Sequence, residues 1–223
     1  MMIPSDSIAT DATLDEIRAQ IARVLPGHAA FDGWTMAAVD AAADECGVAR
    51  PVARLAFKGG AVDMIDAWFA SIDMAMHDSL PSNQLAEMKI RARITTLVEA
   101  RLALLAQHKE ALRRALGVLG LPRNVARGSK LLWRAADAMW RAAGDEATDF
   151  NHYTKRATLG AVYSSTITIF LSDESADYAE TRAFLARRIE NVMQFEKARA
   201  RLRERRALMF DPVKFLGRLR YAD

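Results

Sequence analysis

In one segment after another, apolar side chains recur three and four positions apart, the spacing that lines one face of a helix. "TLDEIRAQIARVL" (13–25) puts Leu14, Ile17, Ile21 and Val24 or Leu25 on one stripe, and Thr13 followed by Glu16 forms a capping box at its start. "AVDMIDAWFASIDMAMHDSL" gives a longer amphipathic helix closed by Pro81. Leu85, Met88, Ile94, Leu97, Val98, Leu102, Leu105 and Leu112 predict one long helix, or two joined ones, between Leu85 and Leu116. "KLLWRAADAMWRAAG" carries Trp133 and Trp140 seven residues apart on one face, and "YAETRAFLARRIENVMQF" (178–195) is again amphipathic. Only "TITIFL", inside the apolar run "ATLGAVYSSTITIFL", alternates like a strand. With no second convincing strand to pair it, a buried helix is expected there. Eleven Gly and six Pro in 223 residues leave few breaks, so the expected fold class is all-α.

Half of the side chains are hydrophobic, enough for a packed core. Cys46 is the only cysteine, which excludes an intrachain disulfide and a cysteine cage for zinc and fits a reducing compartment. "MMIPSDSIATDATLDEI" has neither the basic flank and apolar run of a secretory signal nor the Arg-rich character of a transit peptide. No apolar run reaches the roughly twenty residues that span a bilayer. A bacterial-type cytoplasmic protein is expected.

"GWTMAAVDAAADECGVARPVARLAFKGG" (33–60) has the outline of a helix-turn-helix, its second helix carrying Arg50, Arg54 and Lys58 four apart. Its charge argues against a DNA reader. Residues 1–80 hold five Lys+Arg against twelve Asp+Glu, a net of −7, so residues 81–223 carry +10. Phosphate neutralisation supplies most non-specific affinity, and an acidic module is a poor footprint for it. A scaffold that does not grip nucleic acid is the expected reading.

After Gly144, ten of twelve side chains, from Asp145 to Arg156, are polar or charged, and the chain then turns almost wholly apolar. Asp145, Asp149 and His152 could be drawn as a metal or catalytic set, but ordinary caps explain them better. Asp145 can bind backbone N–H groups beyond the Gly144 helix end, Thr148 can cap the next helix, and Asp149 suits that helix's dipole. The four histidines are scattered, and there is no phosphate loop or nucleophile elbow, so neither catalysis, metal nor cofactor is expected.

The end of the chain differs in character. Residues 196–223 hold nine Lys+Arg and four acids. Asp211-Pro212 opens a short helix with Val213, Phe215, Leu216 and Leu219 on one face and Lys214 and Arg218 on the other. An interfacial anchor on an anionic membrane is preferred over a tail docked on its own core or on a second subunit. This places the protein peripherally, on the inner face of the cell membrane.

Met139-Trp140 followed by "AGDEATDFNHYTKRATLGAVY" resembles the motif of the accessory lipid-binding protein family of ubiquinone (coenzyme Q) biosynthesis, the ninth of that pathway's numbered series. Asp145, Thr148-Asp149-Phe150-Asn151, Tyr153-Thr154, Arg156 and Leu159 stand at the family's spacing, and the likeness runs from about residue 12 to 195. His152 departs from the family's frequent Trp. The resemblance implies a Tet-repressor-like fold used without DNA binding. It divides the chain into an N-terminal module (1–80), a lipid-binding and dimerising helical domain (81–195) and a basic tail (196–223). It implies a non-enzymatic homodimer that holds a phospholipid or polyprenyl-quinone intermediate and presents it to a demethoxyubiquinone hydroxylase-type di-iron enzyme. Trp140, Asp149, Phe150, His152 and Tyr153 would form the docking patch, and Arg156 would hold a phospholipid head group. Met139, Val162, Ile167 and Phe170 are candidate pocket-lining residues. The alternative is a Tet-repressor-like transcription regulator with a lipid ligand.

Overall fold

The computed structural model describes residues 12–145 and 150–208, with side chains described over 12–145 and 151–194. Ten α-helices follow one another: α1 (Leu14–Asp32), α2 (Met36–Glu45), α3 (Arg50–Ala56), α4 (Ala61–Ser79), α5 (Ser82–Ala86), α6 (Ile90–Ala106), α7 (Lys109–Leu119), α8 (Val125–Ala142), α9 (Phe150–Ser172) and α10 (Ala179–Leu208). No strand occurs among the described residues. "TITIFL" is the end of α9, where Thr166, Ile167 and Phe170 are buried.

The capping box forms at the start of α1. Glu16 N donates to Thr13 Oγ1 at 3.3 Å, and Thr13 N donates to Glu16 Oε2 at 2.8 Å. The helix then runs seven residues past the apolar stripe, through Pro26 to Asp32. Leu25, Pro26 and Ala29 are all buried, and that packing outweighs the backbone hydrogen bond a proline cannot make. The 85–116 region resolves into three pieces, broken at Glu87–Lys89 and at Gln107–His108.

α1 to α3 pack around Ile21, Leu25, Val39, Ala42 and Phe57, all fully buried. Trp34, in the turn that the positive φ of Gly33 allows, stacks on Trp68 of α4 with ring centroids 5.3 Å apart. Its indole N–H donates to the Ala111 carbonyl of α7 at 3.1 Å, so one side chain ties the N-terminal module to the larger helical body.

A chain of ion pairs reinforces that tie. On α4, Asp63 meets Arg127 of α8 at 2.7 Å, and Asp66 accepts from Arg134 of the same helix. Two turns of α4 further on, Asp73 accepts from Arg101 of α6, and Arg134 Nε lies 3.3 Å from its other oxygen. Arg101 is 1% exposed. Breaking a buried pair by removing one partner strands the other charge, at about 3–5 kcal/mol. Asp73→Asn should therefore lower unfolding stability by about 3 kcal/mol, near the low end because the amide keeps an acceptor. Urea denaturation checks this, with Asp44→Asn, which breaks an exposed pair, as a control expected to shift the midpoint little.

Candidate functional site

The polar motif is built where α8 ends and α9 begins. α8 closes at Ala142, and Gly144 takes a φ of +84° that side-chain-bearing residues avoid. Arg93 of α6 stabilises this end. Its guanidinium donates to the carbonyls of Met88, Ala143 and Ala86 at 2.8–2.9 Å, placing a cation where helix C-termini are electronegative.

Asp145 follows, and its carboxylate has a larger role than capping. It accepts from Lys155 Nζ at 2.5 Å and from Arg156 Nη1 at 3.0 Å. Arg156 also donates through Nε to Asp137 of α8 at 2.6 Å and through Nη1 to the His152 carbonyl at 3.2 Å. Asp137 in turn meets Arg141 at 2.8 Å. The result is an alternating cluster in which Arg156, 2% exposed, locks α8 against α9. Burial pushes the Asp145 carboxyl up, but the hydrogen bonds and charges of Lys155 and Arg156 outweigh it and hold it below the ordinary carboxylate value.

Beneath this cluster lies a cavity of about 260 Å³ between α6, α8, α9 and α10. Ile94, Leu159, Val162, Ile189 and Val192 form apolar walls, and Trp140 closes one side. The Trp140 indole donates to the Lys155 carbonyl at 3.0 Å, and the Lys155 ammonium sits 5.3 Å from its ring centroid. Lys155 and Arg91 are the cations on the lining, and Arg91 pairs with Glu190 of α10 at 2.5 Å. A buried carboxylate sets the position of α10. Asp173 accepts from the backbone N–H and hydroxyl groups of both Ser175 and Thr181, which holds its carboxyl far below the usual range.

The sequence-predicted residues separate into distinct places. Val162 lines this cavity, and Ile167 lines a second one on another side of α9. Met139 and Phe170, both fully buried, line neither and are plain core. Arg156 also lies off the lining of both cavities, its guanidinium committed to Asp137 and Asp145. Trp140 faces inward as cavity wall, whereas Tyr153 is 61% exposed. Tyr153 stands between His152 (ring centroids 5.1 Å apart) and Trp133 of α8 (6.1 Å). Trp133 is not among the site residues expected from the sequence, yet the fold brings it into this aromatic group. The helical period gave it the same face as Trp140, and only the α8–α9 crossing separates them. Asp149, the Phe150 side chain and Thr148 lie outside the described residues, as do Lys214, Phe215, Leu216, Arg218 and Leu219 of the expected anchor. Among the described residues, no group of His, Cys, Asp or Glu could hold a metal ion, and no helix is long and apolar enough to cross a membrane.

The helix-turn-helix outline is real, but its arginines are occupied. Arg50 forms two hydrogen bonds to Asp44 (2.9 and 2.6 Å), and Arg54 forms two to Asp40 (2.8 and 2.5 Å). Each fork is matched by a carboxylate of the preceding helix, the arrangement a phosphate would have to displace.

The pH dependence of the Asp145 cluster follows from its sign. A carboxylate with a depressed folded pKa contributes stability above its unfolded value, lost as pH falls through the folded one. Asp145→Asn should be less stable than the parent by about 2 kcal/mol at neutral pH, less than a fully broken buried pair because Asp137 still partners Arg156. In urea denaturation the gap should close as pH falls below the carboxylate's ordinary 3.8. A gap that does not change with pH would mean that the Asp145 carboxyl binds its proton equally well folded and unfolded, and so gains nothing from Lys155 and Arg156.

Comparison with known proteins accords with this arrangement. Residues 125–196, which span α8, α9 and the start of α10, match the COQ9 family model. The chain is 31% identical over 175 residues to the ubiquinone biosynthesis protein COQ9, mitochondrial, of Homo sapiens, covering 76% of this chain and 54% of that protein. Its counterpart in Rattus norvegicus is 32% identical over 175 residues, covering 76% and 55%. COQ9-B of Xenopus laevis is 44% identical over 96 residues, covering 43% and 33%. The chain thus spans about half the length of the first two relatives. Among solved structures, the TetR transcriptional regulator from Nitrosomonas europaea ATCC 19718 matches with a TM-score of 0.60 at 22% identity, covering 79% of this chain and 96% of that one. That likeness shows the fold, all-α and Tet-repressor-like. The relatives overturn the expected address on the inner face of a bacterial-type cell membrane, because they are mitochondrial by name. The helices that build the motif and its cavity thus carry a COQ9 family domain, in a chain similar to COQ9 proteins over three-quarters of its length.

Proposed function

We propose that this chain is a non-catalytic, lipid- or isoprenoid-binding accessory protein of ubiquinone biosynthesis that presents quinone intermediates to a membrane-associated di-iron hydroxylase. Its named relatives are ubiquinone biosynthesis proteins. The observation that carries the binding role is the apolar cavity beneath the motif, with cations only on its lining at Arg91 and Lys155. Small-molecule sites are mostly apolar with a few polar groups that fix orientation. At about 260 Å³ the cavity is slightly smaller than the roughly 300–1,000 Å³ of typical ligand pockets, so it takes a stretch of chain rather than a whole polyprenyl tail.

In this reading Arg91 and Lys155 meet the polar end of the lipid, and Arg156 acts behind them by holding Asp145 and α8 in place. The exposed group of Tyr153, His152 and Trp133 suits a partner surface, since aromatic side chains combine large contact area with few rotatable bonds. The basic amphipathic segment around Lys214 and Arg218 would bring the protein to an anionic membrane surface.

Thr158 is half-buried on the cavity lining, so Thr158→Trp would fill the space while sparing the ion-pair cluster. Mass spectrometry of protein purified from its host should find lipid or isoprenoid bound to the parent and little bound to the variant. Equal retention would rule this cavity out as the lipid site.

A further inference from the structure

The four walls of the cavity beneath the motif are not equally attached. Buried and half-buried arginines join three of them. Arg93 of α6 donates to the Ala143 carbonyl at the end of α8, Arg101 of α6 to the Tyr163 hydroxyl of α9, and Arg156 of α9 to Asp137 of α8. α10 closes the fourth side with Ile189, Val192 and Met193. At that level Glu190 ties it to Arg91 of α6 through an ion pair exposed on both partners, a kind of contact that water and salt weaken. Burial also thins along the helix: Thr181 and Leu185 are fully buried, Ile189 is nearly so, and Val192 is only partly buried.

The first turn of α10, by contrast, is pinned. The Asp173 carboxylate receives four hydrogen bonds from Ser175 and Thr181. Lys109 Nζ donates to the Asp173 carbonyl at 2.8 Å and lies 4.7 and 4.4 Å from the ring centroids of Phe170 and Tyr178. Between this pin and α10 the backbone is strained, with φ of +50° at Asp177 and +55° at Tyr178. Left-handed backbone is unfavourable for residues with a Cβ, most of all for bulky ones, and persists only where the surroundings hold it. Here Tyr178 is held by its contacts with Phe170, at 4.9 Å between ring centroids, and with Lys109. A turn of α10 that carries these two residues toward ordinary φ values releases strain, which suits them to act as a hinge.

The two attachments differ in the way a lever requires. Val192 lies fourteen positions beyond Tyr178. That is about 21 Å of helix, so a pivot of about 10° carries Val192 roughly 4 Å, the separation at which apolar contacts are lost. Arg91 belongs both to the latch and to the cavity lining, so a polar group that reaches it from inside competes with Glu190.

We propose that α10 is a hinged lid over this cavity, turning on Asp177–Tyr178 and latched by Arg91–Glu190. That a ligand passes beneath the lid rests on the proposed function. The hinge and the latch do not.

Hydrogen exchange of the full chain tests the lid without any ligand. Amides of residues 186–194 should exchange faster than those of 159–170 in α9. Glu190→Gln should raise their rate about threefold, the value of one exposed ion pair, and leave α9 unchanged. Asp177→Gly, which relieves the closed backbone, should slow them, and Asp177→Val, which sharpens the strain, should speed them. If residues 186–194 exchange in step with α9 in every variant, α10 opens only with the whole fold and the lid is overturned. A second measurement joins Arg91→Cys to Glu190→Cys with a reducible bismaleimide in a Cys46→Ser chain. Uptake of N-phenyl-1-naphthylamine, taken as the signal that Thr158→Trp removes, should slow about tenfold when the lid is linked and recover on reduction. An unchanged rate would overturn the lid. Absence of uptake in every form would count against the proposed binding role, and the exchange pattern then decides the lid alone.

Discussion

The Asp73 carboxylate, set between Arg101 and Arg134, is the contact on which the rest of the architecture depends. A guanidinium as buried as that of Arg101 is tolerated only with a close counter-charge and hydrogen bonds, and α4, α6, α8 and α9 must converge to supply them. α4 brings Asp66 and Asp73, α6 brings Arg101, α8 brings Arg134 and α9 brings Tyr163. Were α4 to shift by a turn relative to α8, both carboxylates would leave their arginines. The helix that links the N-terminal module to the body is thus fixed in register by charge, with Trp34 and Trp68 adding apolar contact beside it.

The same contacts explain the charge asymmetry of the sequence. An acidic first third and a basic remainder look like the halves of a molecule that meets two different partners. In the folded chain, part of that charge is spent internally. Asp63, Asp66 and Asp73 of α4 face Arg127, Arg134 and Arg101 of the basic part, and Asp40 and Asp44 occupy the arginines of the helix-turn-helix. A net of −7 over residues 1–80 therefore overstates the field that the N-terminal module presents to solvent.

Much of the helical frame could be read from period and caps. The Thr13–Glu16 box, the stop at Gly144 and the helical fate of "TITIFL" needed only local rules, because each is decided by neighbours in sequence. The site was legible only as a stretch of unusual composition. Arg156 looked available because its partners lie eleven and nineteen positions away, and Asp137 sits in a helix read for its tryptophans. Met139 and Phe170 share helical faces with true lining residues, yet the crossing of α8 over α9 decides which apolar side chain meets space and which meets another side chain. Trp133 and Trp140 make the same point, since seven residues of ideal helix align them but packing leaves one 37% exposed and turns the other into a cavity wall.

α9 contributes to the lining of two cavities, and its sequence accounts for their different character. On one side, Leu159 and Val162 give an apolar wall, with Lys155 and Arg91 on the same lining. On the other, Tyr163 turns its hydroxyl toward Arg101 within a largely apolar lining. Neighbouring positions of a helix with 3.6 residues per turn project about 100° apart, so Val162 and Tyr163 meet different cavities although they adjoin in sequence.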